Sequence, residues 1–130
     1  MSGMIDISQL NAPPEKHEFE TAKFFADQGK DVVFLKPSDI PHVHTPDIRM
    51  DGIEWEIKCP EGSAKRTIET NMRHAVKQSY YIILDLCWIK LPEKQCLTQL
   101  EFEFSVRPKM KRLLVIRKNG ELTEITKKNN

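Results

Sequence analysis

Two acids and a lysine stand out within residues 45–60, TPDIRMDGIEWEIKCP. Residues 53–59 alternate strictly. Ile53, Trp55, Ile57 and Cys59 face one way, and Glu54, Glu56 and Lys58 the other, as in a half-exposed strand. Asp51-Gly52 signals a two-residue hairpin turn, which fixes the pairing register. Met50 then opposes Ile53, Ile48 opposes Trp55, Arg49 opposes Glu54, and Asp47 opposes Glu56. The first two pairs are apolar and the third is of opposite charge, so the register is consistent with itself. The fourth sets two carboxylates about 5 Å apart at Cβ. Such a pair repels unless a proton or a divalent cation lies between, and oxygen ligands suit the cation. Lys58 lies on the same face, two residues past Glu56. Two carboxylates and an ammonium at one spot suit metal binding, water activation and neutralisation of a phosphate oxyanion. They also suit a plain salt-bridge cluster.

The elements that must hold these groups follow from local signals. Pro13-Pro14 opens a helix that runs to about Asp27 and stops at Gly29, with residues 1–12 as a loosely ordered lead-in. Phe19, Ala22, Phe25 and Ala26 form its apolar stripe, while Glu15 and Glu18 project within that stripe and Glu20 points to solvent. An acid at the margin of a buried face needs a partner, and the Asp47–Glu56 site is a candidate for Glu18; a first-turn acid favoured by the helix dipole is the alternative. A short strand over 31–36 and a loop over 37–45 lead into the hairpin. A second helix over 63–79, with Ser63 as N-cap, precedes the apolar strand 80–86, which is too hydrophobic for an edge. Residues 94–106 fit a helix ending before Pro108, and 112–117 with 121–125 fit a last hairpin around Asn119-Gly120. The fold class is a single mixed α/β domain over 13–130.

On the second helix Ile68, Met72, Ala75, Val76 and Ser79 make a core stripe, and Arg66, Arg73 and Lys77 align opposite it. Thr67, Asn71, His74 and Gln78 lie between, with His74 a polar surface residue. Aligned cations suit phosphate-backbone contacts, and equally a solvated face. His42 and His44 have no third and fourth ligand at zinc spacing. Trp55, Tyr80 and Tyr81 read as core.

The chain has 130 residues and a formal net charge of +1, which alone argues against a polyanion partner. The distribution argues the other way. Residues 1–61 carry 6 Lys and Arg against 12 Asp and Glu, and residues 62–130 carry 14 against 7. Three cysteines at no metal-ligand spacing speak against a disulfide framework and for a reducing compartment. No apolar run approaches the roughly 20 residues of a membrane span, and there is no signal-peptide core, so neither a membrane association nor secretion by a leader in this chain is expected.

Thr45-Pro46-Asp47, then Glu56-Ile57-Lys58, behind an acidic helix and before a second helix, resembles the PD-(D/E)xK nuclease superfamily. Residues 17–22 (HEFETA), 45–60 and 66–79 (RTIETNMRHAVKQS) are similar to the C-terminal tRNA-nuclease toxin domain of contact-dependent growth inhibition (CdiA-type) proteins. The likeness covers residues 15–90 well and the last 40 only by pattern. It implies a restriction-endonuclease-like mixed sheet (αβββαβ core, then a helix and hairpin) and a metal-dependent ribonuclease toxin hydrolysing tRNA. It further implies Mg²⁺, or Mn²⁺ or Zn²⁺, as cofactor, a larger delivery protein, a cognate immunity protein and action in the cytoplasm of a target cell. Position by position, Asp47 and Glu56 match the metal-binding acids, Lys58 the catalytic lysine and Glu18 the acid of the first helix. The Ile57 carbonyl joins the metal ligands. Lys65, Arg66, Thr67, Arg73, Lys77 and Gln78 are the candidate substrate contacts, with Lys65 and Gln78 nearest the scissile phosphate. Cys59 departs from the small polar residue expected there and lies beside the site. A DNA endonuclease of the same fold and a non-catalytic nucleic-acid-binding module are the rival readings.

Overall fold

The structure, a computed structural model, describes residues 2–127. Seven strands form one mixed sheet in chain order: β1 (Ile5–Asp6), β2 (Val32–Phe34), β3 (Ile48–Met50), β4 (Ile53–Lys58), β5 (Tyr81–Asp85), β6 (Arg112–Ile116) and β7 (Leu122–Ile125). Helices α1 (Lys16–Asp27), α2 (Thr67–Ala75) and α3 (Glu93–Ser105) bridge the parallel pairs β1–β2, β4–β5 and β5–β6. The hairpins β3–β4 and β6–β7, and the β2–β3 pair, are antiparallel. Two apolar clusters cover the two faces. Ala22 and Phe25 of α1 pack on Phe34, Ile48, Trp55 and Ile83; Ile68 and Met72 of α2, with Leu100 and Phe104 of α3, pack on Ile82, Leu84 and Leu113. Strand β5 lies between β4 and β6, and Ile82–Leu84 are fully buried. No helix among the described residues is long and apolar enough to cross a membrane.

Helix α1 starts where Glu15 accepts from the His17 N–H, and ends in a Schellman motif: Gly29 (φ 90°) and Lys30 donate to the carbonyls of Ala26 and Phe25. Phe19, placed in the apolar stripe by spacing, is 37% exposed, and fully buried Thr21 takes the inward position. The expected loose lead-in is also revised. Val32 donates to Met4, Met4 to Asp31 and Gly3 to Ala26, so the segment adds a parallel edge strand, and a Cβ at Gly3 would overlap the Lys30 carbonyl.

Helix α2 is shorter than the apolar spacing suggests. Its cap residue is Arg66, without a side-chain cap bond, so Ser63 is not the N-cap. Upstream, Gly62 is drawn into a bridge with Ile89. Downstream, the chain leaves the helix after Ala75, and Ser79 Oγ donates to the Glu54 carbonyl at 2.9 Å.

Candidate active site

The β3–β4 turn places Asp51 at φ 55° and Gly52 at φ 75°, the two left-handed positions of a type I′ turn. The register follows: Met50 faces Ile53, Arg49 faces Glu54, and Ile48 faces Trp55. Arg49 and Glu54 pair at 2.8 Å. The ladder ends at Ile48–Trp55, and the Asp47 N–H donates to the same Trp55 carbonyl at 2.9 Å, a bulge in place of the expected Asp47–Glu56 cross-strand pair. The two carboxyl groups meet instead through a side-chain hydrogen bond. Asp47 Oδ2 accepts from the Ile57 N–H at 2.8 Å, which fixes the carboxylate over the strand.

Glu56 is 3% exposed and sits among groups that contest its proton. Burial, then the Asp47 charge and a hydrogen bond shared with Asp47, pushes its carboxyl up to about 9 against the opposing pull of Lys58. Lys58 Nζ lies 3.4 Å from Glu56 Oε2. From beyond α2, Gln78 turns its amide NH₂ onto the same carboxyl group, with 2.8 Å to Oε1 and a second contact to Oε2. Glu18 arrives from the first turn of α1 and hydrogen-bonds Asp47; burial, then the Asp47 charge, pushes it up to about 8. Glu18 and Asp47 open onto a cavity of about 380 Å³ walled by Leu10, Pro13, Phe34 and Lys36. Four groups from three elements thus converge: Glu18, Asp47, Glu56 and Lys58.

Glu18 and Glu56 each form a side-chain hydrogen bond to Asp47. Among the described residues no three His, Cys, Asp or Glu side chains are splayed as a ready-made ion cage. The donor set nonetheless has the chemistry of a hard-cation site, with carboxylate oxygens held at one point and one nearby ammonium.

The remaining candidates are dispersed. Arg66 precedes α2 and binds Glu69 through two bonds, at 2.9 and 3.0 Å, while Lys77 follows the helix, so the helical alignment of Arg66, Arg73 and Lys77 does not form. Thr67 opens α2, and its carbonyl accepts from Asn71. Lys65 borders a cavity beside α3 with Gln99, Phe102 and Arg107. Arg73, His74, Lys77, His42 and His44 are exposed.

Three features escaped the sequence reading. Buried Asp85, at the end of β5, accepts from Thr21 Oγ1 at 2.8 Å and from the Cys87 N–H at 3.0 Å, tying α1 to the sheet. Cys59 Sγ lies 3.4 Å from Thr21 Oγ1, and burial pushes the thiol up to about 12. A protonated thiol is a poor nucleophile, so Cys59, although beside the site, is not poised for oxidation. Tyr80 stands outside β5 and is 45% exposed, so it is not core. An acid closing the apolar run 80–86 was the available signal for Asp85.

The fold is shared with a solved structure, the CdiA-CT/CdiI toxin and immunity complex from Burkholderia pseudomallei. The match has a TM-score of 0.68 at 22% identity and covers 95% of this chain and 99% of that one. At this identity the likeness is one of fold. No curated protein matches the sequence. Residues 44–122 match the family described as the contact-dependent growth inhibition CdiA C-terminal domain, and the chain belongs to that family.

Proposed function

We propose that the chain is a toxin domain of the PD-(D/E)xK type that hydrolyses phosphodiester bonds of tRNA with a divalent cation. The observation that carries this reading is the buried Glu56, hydrogen-bonded to Asp47 and met at 3.4 Å by Lys58. Burial and the Asp47 charge raise both Glu18 and Glu56, and acids crowded together with their carboxyl groups pushed up in this way are characteristic of functional sites.

Asp47 and Glu56, with Glu18, would hold the cation, Mg²⁺ or another divalent ion, together with the Ile57 carbonyl. Such an ion, when bound, supplies an activated water and charge for a phosphoryl oxygen. The Ile57 N–H keeps Asp47 in place, and Gln78 keeps the Glu56 carboxyl group turned toward it. Lys58 neutralises the negative charge that builds on the phosphate during attack. The apolar walls of the cavity beside Glu18 lower the local dielectric and strengthen each of these interactions.

In this reading the domain rides on a larger delivery protein, acts in the cytoplasm of a target cell and is restrained by a cognate immunity protein. The family assignment and the immunity partner in the similar structure support it. The test is incubation of purified protein with total tRNA and with plasmid DNA, in Mg²⁺ and in EDTA, beside Asp47→Ala. Cleavage of tRNA by the wild type in Mg²⁺ alone is expected. Cleavage of DNA alone makes the protein a DNA endonuclease of this fold. Absence of any cleavage, or cleavage undiminished in Asp47→Ala, removes the nuclease reading.

A further inference from the structure

A second groove, of about 830 Å³, lies between the β3–β4 hairpin and residues 76–81, next to the acid cluster. Pro46 and Ile53 form one wall; Gln78, Tyr80 and Lys109 line the other. It meets the acid cluster at two points, since Pro46 precedes Asp47 and Gln78 reaches Glu56. Glu54, the acid on its rim, is neutralised by Arg49 at 2.8 Å. Among the described residues, Lys77 and Lys109 make no ion pair, so both cations are free for a ligand.

Tyr80 is the distinctive feature. Tyr80 is 45% exposed and, among the described residues, its ring stacks on no other, whereas its neighbour Tyr81 packs edge-on to Trp55. The backbone beneath it is fixed on both sides. The Tyr80 carbonyl accepts from the Lys111 N–H at 2.7 Å, and Ser79 Oγ is bound to the Glu54 carbonyl at 2.9 Å. A flat aromatic face is thus held out on a rigid support, with two unpaired cations nearby. That combination suits a stacked base and its flanking phosphates.

We propose that this groove seats an unpaired nucleotide beside the scissile phosphate, its base stacked on Tyr80 and its backbone held by Lys77 and Lys109. The proposal rests on the nuclease reading and adds the class of substrate, single-stranded at that position. A base inside a duplex has no free face to offer Tyr80.

The test is a fluorescence-anisotropy titration of a short labelled single-stranded RNA in EDTA, which prevents metal-dependent cleavage, with a duplex of the same sequence as control. Tyr80→Ala is expected to weaken single-strand binding by about 5- to 150-fold. Tyr80→Phe keeps the ring and is expected to bind like wild type, and the duplex to be indifferent to both changes. Lys109→Ala is expected to reduce the slope of log affinity against log salt by about 0.7, one phosphate contact on a single strand. Thermal melts of the variants check that this exposed position leaves the fold intact. Equal binding by wild type and Tyr80→Ala overturns the proposal, and so does an equal loss on the duplex. If Tyr80→Ala weakens capture of an immunity protein and not of RNA, the groove belongs to a protein partner and the proposal is wrong. Cleavage by wild type with Tyr80-independent binding overturns the groove alone; no binding and no cleavage of any polynucleotide overturns both readings.

Discussion

Replacing Glu56 by Gln should change how stability depends on pH, because the fold raises this acid instead of lowering it. Its ordinary value is 4.5 and burial takes it to about 9. Between those values the native state holds a proton that the unfolded chain has released. Stability therefore falls as pH rises through this window. The limiting slope is about 1.4 kcal/mol per pH unit for one proton. At pH 7, some 2.5 units above the unfolded value, the cost is about 3 kcal/mol. Glu18, also raised, adds to the slope with the same sign, but less than a full proton's worth because it is more open to solvent. The lowered acids do not interfere. Glu69, held down by its bond to Arg66, Glu93 by the Lys118 N–H and Glu124 by Arg112, lose their contribution only as pH drops through and below 4.5. Urea denaturation in EDTA at several values from pH 5.5 to 8.5 reads the effect. Wild-type stability should fall across the range, and Glu56→Gln should flatten most of the slope and be the more stable protein at pH 8. A wild-type profile that is flat or rising, or a variant with the same slope, refutes the reasoning.

Other consequences are as direct. Titration of Mn²⁺ by calorimetry in buffers of different ionisation enthalpy should show release of about one to two protons at pH 7, since the ion displaces protons on Glu18 and Glu56; binding without proton release contradicts the raised values of these two acids. Thr21→Val removes the 2.8 Å bond to buried Asp85 with almost no change of shape and should lower stability by about 1.5–3 kcal/mol, read as a shift in urea midpoint, while Thr21→Ser retains most of it. Gly52→Ala meets nothing within 4 Å, so only the φ of 75° opposes it; a loss of about 1 kcal/mol is expected, and a neutral outcome means the turn is not held as described.

What the sequence could show depended on whether the deciding contacts were local. The hairpin was legible because the Asp51-Gly52 turn, the alternation of 53–59 and the Arg49–Glu54 pairing agree on one register. That register points to Asp47 and Glu56 as neighbours; the bulge at Asp47, which no local signal announces, makes their meeting a side-chain contact and not a ladder pair. The convergence of Glu18 was foreshadowed by an acid in an apolar stripe, although its contact with Asp47 spans the chain from α1 to the hairpin. The ends of α2 were not legible: Gln78 and Ser79 leave the helical path for Glu56 and Glu54, partners more than twenty residues away. The same detour lifts Tyr80 out of the core, against its place in an apolar run. Strand β1 has two residues, too few for any periodicity, and Thr21 finds Asp85 across 64 positions.

The most direct measurement is the single-turnover rate of RNA cleavage in Mg²⁺ by wild type and by Lys58→Ala, with both proteins shown to be equally folded. Lys58 touches the acid cluster through one 3.4 Å contact to Glu56, so the variant should keep its fold. Its rate should drop at least about 100-fold, as when a group that stabilises transition-state charge is removed. A Lys58→Ala protein that cleaves within about tenfold of wild type would contradict the assignment of this cluster as the catalytic site.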